Sequence, residues 1–538
     1  MPSPVPASPT DPPAPTGPAI PTGPAIPAEP AIPAEPAIPA GSVPGDGDAR
    51  AADLRRHLDA QRFAFVRDGP PPVAVRVGRI DRLIEAAVSS ADDLVAALSA
   101  DFGHRSPVQS LMTDVIGPLP TIKHTRAHVA RWMRPTRHPA GPLAPLVGRA
   151  TVRRDPLGVV GIISPWNFPV TLAAAPAAQA LAAGNRVMLK LSEVVPRTSE
   201  VLRAALEARF DPEELAVVTG DAEAGAAFSR LPFDHLLFTG SGAVGRQVQG
   251  AAAANLVPVT LELGGKCPVV VGHGADLGRM ARRVMTQKLL NAGQLCLAPD
   301  HLYAPDGDLA AVVDALRAAA AAMYPTLGRN PDYTAVVTDA HRRRLLAHVE
   351  DARRKGAAII EVNQAGEDLD AGPARKVAPT IIVGATAEMT VMQEEIFGPL
   401  LPVIGYRSIT GAVAAIAARP HPLALYFFGP DRSEADAVID GTRSGGVTID
   451  DVVVHYMVEG VPFGGVGASG MGAYHGRAGF ETFTHARTVV RNRSRWSPND
   501  VLTPPYGPAT HRLMRLAVAW ERAAVRRRLA GAARRGRD

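Results

Sequence analysis

The chain has 538 residues, with 57 Lys plus Arg against 52 Asp plus Glu, a formal net charge of +5, and a composition 46% hydrophobic and 20% charged. That length excludes a lone small module, the apolar content excludes a wholly disordered chain, and so small a charge gives no reason by itself to expect a nucleic-acid partner. Two cysteines, Cys267 and Cys296, are too few for a disulfide framework in a chain of this size; they fit a reducing compartment and hence a cytoplasmic protein.

Residues 1–48 hold 16 of the 51 prolines, and Pro-Ala-Ile-Pro begins at positions 18, 24, 30 and 36. Proline at this density blocks helices and sheet ladders, so 1–48 reads as a disordered or polyproline-like tail, or as a ligand for a proline-binding groove. The N-terminus lacks a basic segment followed by an apolar one, so it does not read as a secretory signal. No apolar run reaches the roughly 18 residues of a membrane span.

From residue 49 the apolar positions fall at helical spacing. Leu54, Leu58, Phe63 and Val66 form a first set, and Ile80, Leu83, Ile84, Val88, Leu94, Ala97 and Leu98 continue the period; both sets predict core-facing helical stripes. Near residue 156 short apolar runs begin to alternate with Ala-rich helical ones. Strands are predicted at Val159–Ile163, Val187–Leu191, Leu215–Val218, Leu236–Phe238 and Val259–Leu263, with helices over 172–183, 198–209 and from 243. A second such region runs from 268 to 460, its clearer elements being Pro268–Val271, 276–291, 308–322 and 379–383. Buried strands alternating with helices indicate parallel α/β sheets, here in two lobes.

Several segments carry chemistry. Phe238-Thr-Gly-Ser-Gly-Ala-Val-Gly245 follows a strand and opens a helix, where backbone amides can cradle a pyrophosphate, although a structural turn explains the glycines as well. Lys190 and Glu193 end a strand, where α/β sheets bind ligands, or form a solvated strand end. Asn167, framed by Pro165 and Pro169, offers an amide donor to a developing oxyanion, or serves a turn. Glu262-Leu-Gly-Gly-Lys266 and Asn291-Ala-Gly-Gln-Leu-Cys296 supply a carboxylate and a thiol that could act as base and nucleophile. Cys267, followed by Pro268 and an apolar strand, reads instead as a packed small hydrophobe. Glu395 and Phe397 lie in Gln393-Glu-Glu-Ile-Phe-Gly-Pro399, and Pro462–Gly472 is a glycine-dense loop.

Taken together and in this order, these segments resemble the NAD(P)-dependent aldehyde dehydrogenase superfamily from about residue 50 to 495. Gly470-Met-Gly-Ala-Tyr-His-Gly476 and Thr482-Phe-Thr-His485 resemble its class 3 branch, and within it the bacterial coniferyl aldehyde dehydrogenases. The resemblance implies an aldehyde dehydrogenase-like fold with two Rossmann-like lobes: a cofactor-binding domain over 49–146 and 158–264, a catalytic domain over 265–464, and a bridging element over 147–157 and 465–505. It implies Cys296 as nucleophile, Glu262 as general base and Asn167 as oxyanion donor. Lys190 and Glu193 become the adenosine-ribose contacts, Gly240, Ser241 and Gly245 the pyrophosphate turn, and Glu395 and Phe397 the nicotinamide-ribose and nicotinamide contacts. It implies NAD, with NADP as the alternative, no metal, and a homodimer.

The implied substrate is an aromatic or hydrophobic aldehyde of coniferyl type, with Val453, His455, Tyr456 and Met457 on its channel. A fatty or medium-chain aldehyde is the alternative substrate, and a non-catalytic cofactor-binding scaffold the alternative function. Residues 506–538 have no counterpart in that pattern. From Arg491 to Asp538 there are 12 Arg and three acids, and this basic end reads as a solvated tail. Alternatively, Leu513, Leu516, Ala517 and Trp520 could lay a helix on an anionic membrane.

Overall fold

The structure is a computed structural model and describes residues 46–139, 141, 149–372, 375–492, 494–495 and 497–535. The proline-rich repeat falls outside the described residues. Three helices open the described chain, Asp46–Asp68, Val73–Ser89 and Ala91–Phe102. Ile80, Leu83, Leu94, Ala97 and Leu98 are buried, as are Leu54 and Leu58, but Phe63 is 66% exposed, Val66 81% and Val88 46%. The single stripe expected of the first helix is therefore corrected. Phe63 follows Leu54 by nine residues, about two and a half turns, and so falls on the opposite face. Gln61 takes the inner position and donates to the Val187 and Pro212 carbonyls at 2.9 and 2.8 Å.

The strands β1 (Thr136–Pro139) and β2 (Arg149–Pro156) form an antiparallel ribbon. There follow β3 (Val159–Ile163), β4 (Arg186–Lys190), β5 (Leu215–Val218), β6 (His235–Gly240) and β7 (Val259–Leu263). Only Gly264–Cys267 then separate β7 from β8 (Pro268–Val271). After it come β9 (His301–Pro305), β10 (Ala358–Glu361), β11 (Thr380–Val383), β12 (Leu400–Tyr406), β13 (Ala424–Phe428), β14 (Gly446–Ile449), β15 (Gly470–Met471) and β16 (Thr484–Val490).

One sheet has the order β15-β7-β6-β3-β4-β5 and the other β10-β11-β12-β9-β8-β13-β14. Pairing is parallel within each except at an edge, where β15 and β10 run antiparallel to their neighbours. Gly470–Met471, assigned from sequence to the bridging segment, thus extends the sheet of the first lobe. β16 joins the ribbon beside β2, making a three-stranded antiparallel sheet.

The helix Thr171–Ala183 is buried at every residue. Its alanines let it pack closely against the helices Val73–Ser89, Leu119–Trp132 and Gly476–Thr482. This helix fixes the loop before it, which enters the site. The carboxyl ends of β3, β4, β6 and β7 lead directly into the segments singled out by their chemistry, the edge at which such sheets bind ligands. The basic end forms a helix, Pro508–Arg535, on which Leu513, Leu516, Val518, Trp520 and Leu529 are all exposed. Among the described residues, no helix is long and apolar enough to cross a membrane.

The facing of the first helix is testable by urea denaturation. Leu58→Ala should cost about 2–5 kcal/mol, because it opens a buried cavity. Phe63→Ser should change stability by less than about 0.5 kcal/mol.

Candidate active site

Cys296 is reached through an unusual turn. After the helix Leu277–Leu289, three successive residues are left-handed, Asn291 (φ 50°), Ala292 (φ 53°) and Gly293 (φ 75°). Left-handed non-glycine residues cost on the order of 1–3 kcal/mol each and persist only where surroundings hold them. Here side-chain amides do so. Asn291 Nδ2 donates to the carbonyls of Asn167 (3.1 Å) and Gln294 (3.3 Å). Gln294 Nε2 donates to the carbonyls of Asn291 (2.8 Å) and Ala335 (3.1 Å), and its Oε1 accepts from the Val337 amide (2.9 Å). Gly293 is required sterically, since a Cβ there would lie 2.3 Å from the Gly398 oxygen. The turn leaves Cys296 partly accessible, while Cys267 is fully buried, its Sγ 3.4 Å from the Cys296 carbonyl oxygen.

Asn167 Nδ2 donates to the Gln294 carbonyl at 3.1 Å, two residues before Cys296. An amide has two hydrogens, so one remains for a ligand. The loop that bears it is anchored by Arg105, whose Nη1 donates to the Asn167 carbonyl at 2.9 Å. Arg105 in turn pairs with Asp114 at 2.6 Å with both side chains at 0% exposure, and Asp114 accepts from the Val170 amide at 3.1 Å. Sequence reasoning missed Arg105 and Asp114. Both lie in a stretch with no motif, and the groups they hold on the Asn167 loop are 62 and 56 residues away.

Glu262 lies inside β7 rather than beyond its end, opposite Gly470 of β15 and 4% exposed. Neither carboxyl oxygen has a hydrogen-bond partner among the described residues. An unpaired buried carboxylate is costly, and burial pushes the Glu262 pKa well above its usual range. The Cys296 thiol is pushed up to about 12, first by burial and then by the neighbouring charges of Glu395 and Glu262. The amides of Cys296 and Leu297 act in the opposite direction by donating to the sulfur.

Glu395 closes the site from the second lobe. Its Oε1 accepts from the Gly265 amide at 3.0 Å, and a Cβ on Gly264 would sit 2.1 Å from that oxygen, so the short link between the two sheets must be glycine at this point. Burial raises the Glu395 pKa to about 7. Phe397 is left-handed (φ 49°), and its ring packs edge-on to Trp166 at 5.4 Å. The segment is held by Lys266, which pairs with Asp300 and donates to the Val391 and Glu394 carbonyls at 2.8 Å each. Asp300 also accepts from the Ile396 amide at 3.0 Å. Lys266 ends a segment picked out from sequence but was given no role there, and Asp300 was not singled out.

The other predicted residues stand along the same sheet edge, at the ends of β4 and β6. Lys190 is 2% exposed and donates to Leu191 O (2.7 Å), Gly220 O (3.0 Å) and Glu193 (3.2 Å), while Glu193 is 44% exposed. Ser241 caps the helix Gly242–Ala253 by accepting from the Val244 amide. A Cβ at Gly242 would find nothing nearer than the Arg246 guanidinium at 3.9 Å, so the helix N-terminus is open. A Cβ at Gly245 would lie 2.7 Å from Leu263, so this glycine lets the helix settle onto the sheet. A helix N-terminus after a strand, a half-exposed carboxylate at the end of β4 on the same sheet edge and a buried carboxyl within electrostatic reach of a thiol form a set that a nicotinamide dinucleotide fits.

The aldehyde dehydrogenase family model matches residues 45–489. A probable coniferyl aldehyde dehydrogenase of Caulobacter vibrioides is 49% identical over 86% of this chain and 96% of its own length. A coniferyl aldehyde dehydrogenase of a Pseudomonas species is 47% identical over 88% and 97%. Among solved structures, a substrate-bound state of Staphylococcus aureus AldH superposes with a TM-score of 0.80 at 33% identity, covering 86% of this chain and 99% of that one. A Mycobacterium tuberculosis aldehyde dehydrogenase complexed with NAD+ gives 0.74 at 27% identity, over 83% and 91%.

Two measurements test this geometry. Asp114→Ala should destabilise the protein by about 3–5 kcal/mol in urea, because it leaves the Arg105 guanidinium buried without its counter-ion. In the cofactor-free protein, iodoacetamide labelling should be confined to Cys296 and should accelerate about tenfold per pH unit from pH 7 to 10, because only the thiolate reacts and its pKa lies above that range. Label on Cys267 would contradict the assignment of accessibility.

Proposed function

The chain belongs to the aldehyde dehydrogenase family, enzymes that oxidise an aldehyde to the carboxylic acid with NAD or NADP, and on that premise we propose which residues act, which cofactor is preferred and which aldehyde is taken. The observation that carries the residue assignment is the unpaired, buried carboxyl of Glu262 within electrostatic reach of the partly accessible thiol of Cys296. Such an arrangement serves no packing need and suits a base waiting for a proton.

Cys296 Sγ, once deprotonated, attacks the aldehyde carbon. The free hydrogen of Asn167 Nδ2 and the Cys296 amide donate to the oxyanion that forms. A nicotinamide held by Glu395 and Phe397 would supply the hydride acceptor and, when oxidised, a positive charge. The chain is left holding a thioester on Cys296. Glu262 removes a proton from water, the resulting hydroxide attacks the thioester, and the acid departs with the thiol restored. The buried, apolar setting of Glu262 keeps its pKa high, which makes it a stronger base than a solvated carboxylate.

For the cofactor we infer a preference for NAD. Lys190 is fully engaged with its carbonyl acceptors and Glu193, and Glu193 presents an exposed carboxylate that accepts from ribose hydroxyls and repels a 2′-phosphate. For the aldehyde, the names of the two bacterial relatives favour coniferyl aldehyde or a close aryl propenal. The aromatic wall of Tyr456, Phe463, Tyr474 and His475 supports the same reading, with ring centroids 4.7–6.0 Å apart. A cytoplasmic homodimer completes the reading; the half-exposed ribbon of β1, β2 and β16 offers edges for pairing with a second copy.

Turnover of coniferyl aldehyde should vanish in Cys296→Ala. Asn167→Ala should lower kcat by about 10²–10³. Glu262→Gln should release one equivalent of reduced cofactor per site in a burst and then stall, with steady turnover down by about 10²–10⁴. Because the folded-state pKa of Glu262 is raised and the base acts when ionised, thioester hydrolysis should slow as pH falls through that raised pKa, well before ordinary carboxylates protonate. Glu193→Gln should raise kcat/KM for NADP relative to NAD; an unchanged ratio removes the cofactor inference.

A further inference from the structure

The wall that follows β14 is shaped by backbone strain. Asp450 and the β-branched Val453 are both left-handed, at φ 54° and 67°, and a β-branched residue adopts that conformation only under constraint. The turn that results carries Tyr456 and, three residues on, Glu459. Tyr456 packs edge-on to Phe463 at 5.0 Å and beside His475 at 4.9 Å. With Leu295 and Cys296 it lines the partly buried margin of the main core. Its hydroxyl lies within electrostatic reach of both Cys296 and Glu459.

Glu459 stands opposite Thr121, from the helix Leu119–Trp132, whose hydroxyl faces its carboxyl. Its Oε2 is withdrawn from solvent and has no hydrogen-bond partner among the described residues. The neighbours in sequence are apolar and open, with Met457 57%, Val458 46% and Val461 42% exposed. A carboxyl oxygen removed from water, unpaired, and set in an apolar rim is an acceptor without its donor. Nothing in the reaction at Cys296 uses it.

We propose that Glu459 is a specificity-determining residue that accepts a hydrogen bond from the para-hydroxyl of a 4-hydroxyaryl aldehyde. The carbonyl carbon of such a substrate sits at Cys296, its ring lies against Tyr456, and the phenolic hydroxyl at the far end of the ring meets Glu459 Oε2. This rests on the aromatic-substrate reading above and adds the recognition of one hydroxyl to it. The hydroxyl is remote from the reacting carbon, so its contribution appears in KM more than in kcat.

The test compares kcat/KM for 4-hydroxycinnamaldehyde and cinnamaldehyde, which differ by that hydroxyl alone. The wild type should prefer the hydroxylated aldehyde by about tenfold, the worth of one buried hydrogen bond to a strong acceptor. Glu459→Leu should bring the ratio close to one, and Glu459→Gln, which keeps an acceptor oxygen, should retain part of the preference. Loss of folding or of Cys296 chemistry affects both aldehydes alike and cancels in the ratio. An unchanged ratio in Glu459→Leu, or no preference in the wild type, overturns the proposal while leaving aryl aldehyde oxidation intact. A wild type that oxidises neither aldehyde but accepts fatty ones overturns the aromatic reading and this proposal with it.

Discussion

The site depends on keeping one carboxyl dry. Glu262 is enclosed by β7, its neighbours and the β15 edge, and receives no hydrogen bond from any described group. Folding tolerates that penalty because everything around it is over-determined. The two sheets are joined through a glycine link pressed against Glu395, and Lys266 with Asp300 ties that link to the segment bearing Phe397. The cost of an unsatisfied polar group is thereby spread over a framework that cannot relax to solvate it.

The Cys296 turn and the Asn167 loop obey the same logic through different chemistry. Three left-handed residues ahead of Cys296 are fixed by amide side chains, and the Asn167 loop hangs from a fully buried Arg105–Asp114 pair. Asn291 and Gln294 each touch both loops, so the position of the sulfur and that of the donor are set by shared hydrogen bonds. Charged and strained elements are placed where they orient reacting groups, while alanine and valine fill the interior of the sheets and of the helix behind them.

Much of this was legible from the chain alone, for a physical reason. Strands buried on both faces read as apolar runs, and the loops at their carboxyl ends must carry glycine, amide and carboxyl groups to meet a ligand. β3, β5, β7 and β8 fall on the residues the pattern assigns, and the segments around Asn167, Glu262, Cys296 and Glu395 converge on one place. The illegible parts are long-range. Arg105 and Asp114 carry no local signature, since their value lies in partners across the fold. Phe63 and Val66 are apolar by composition and exposed by phase, a distinction that needs the helix register. Gly470–Met471 is too short to read as a strand and is one only because β7 offers it an edge.

That last pairing bears on the order of events during synthesis. β7 is made at residues 259–263, yet the strand that covers its outer edge arrives more than 200 residues later. Until Gly470 leaves the ribosome, the sheet holding Glu262 has an open flank. A nascent or truncated chain that stops short of Gly470 can therefore hold Asn167, Glu262 and Cys296 and still lack the strand that flanks β7.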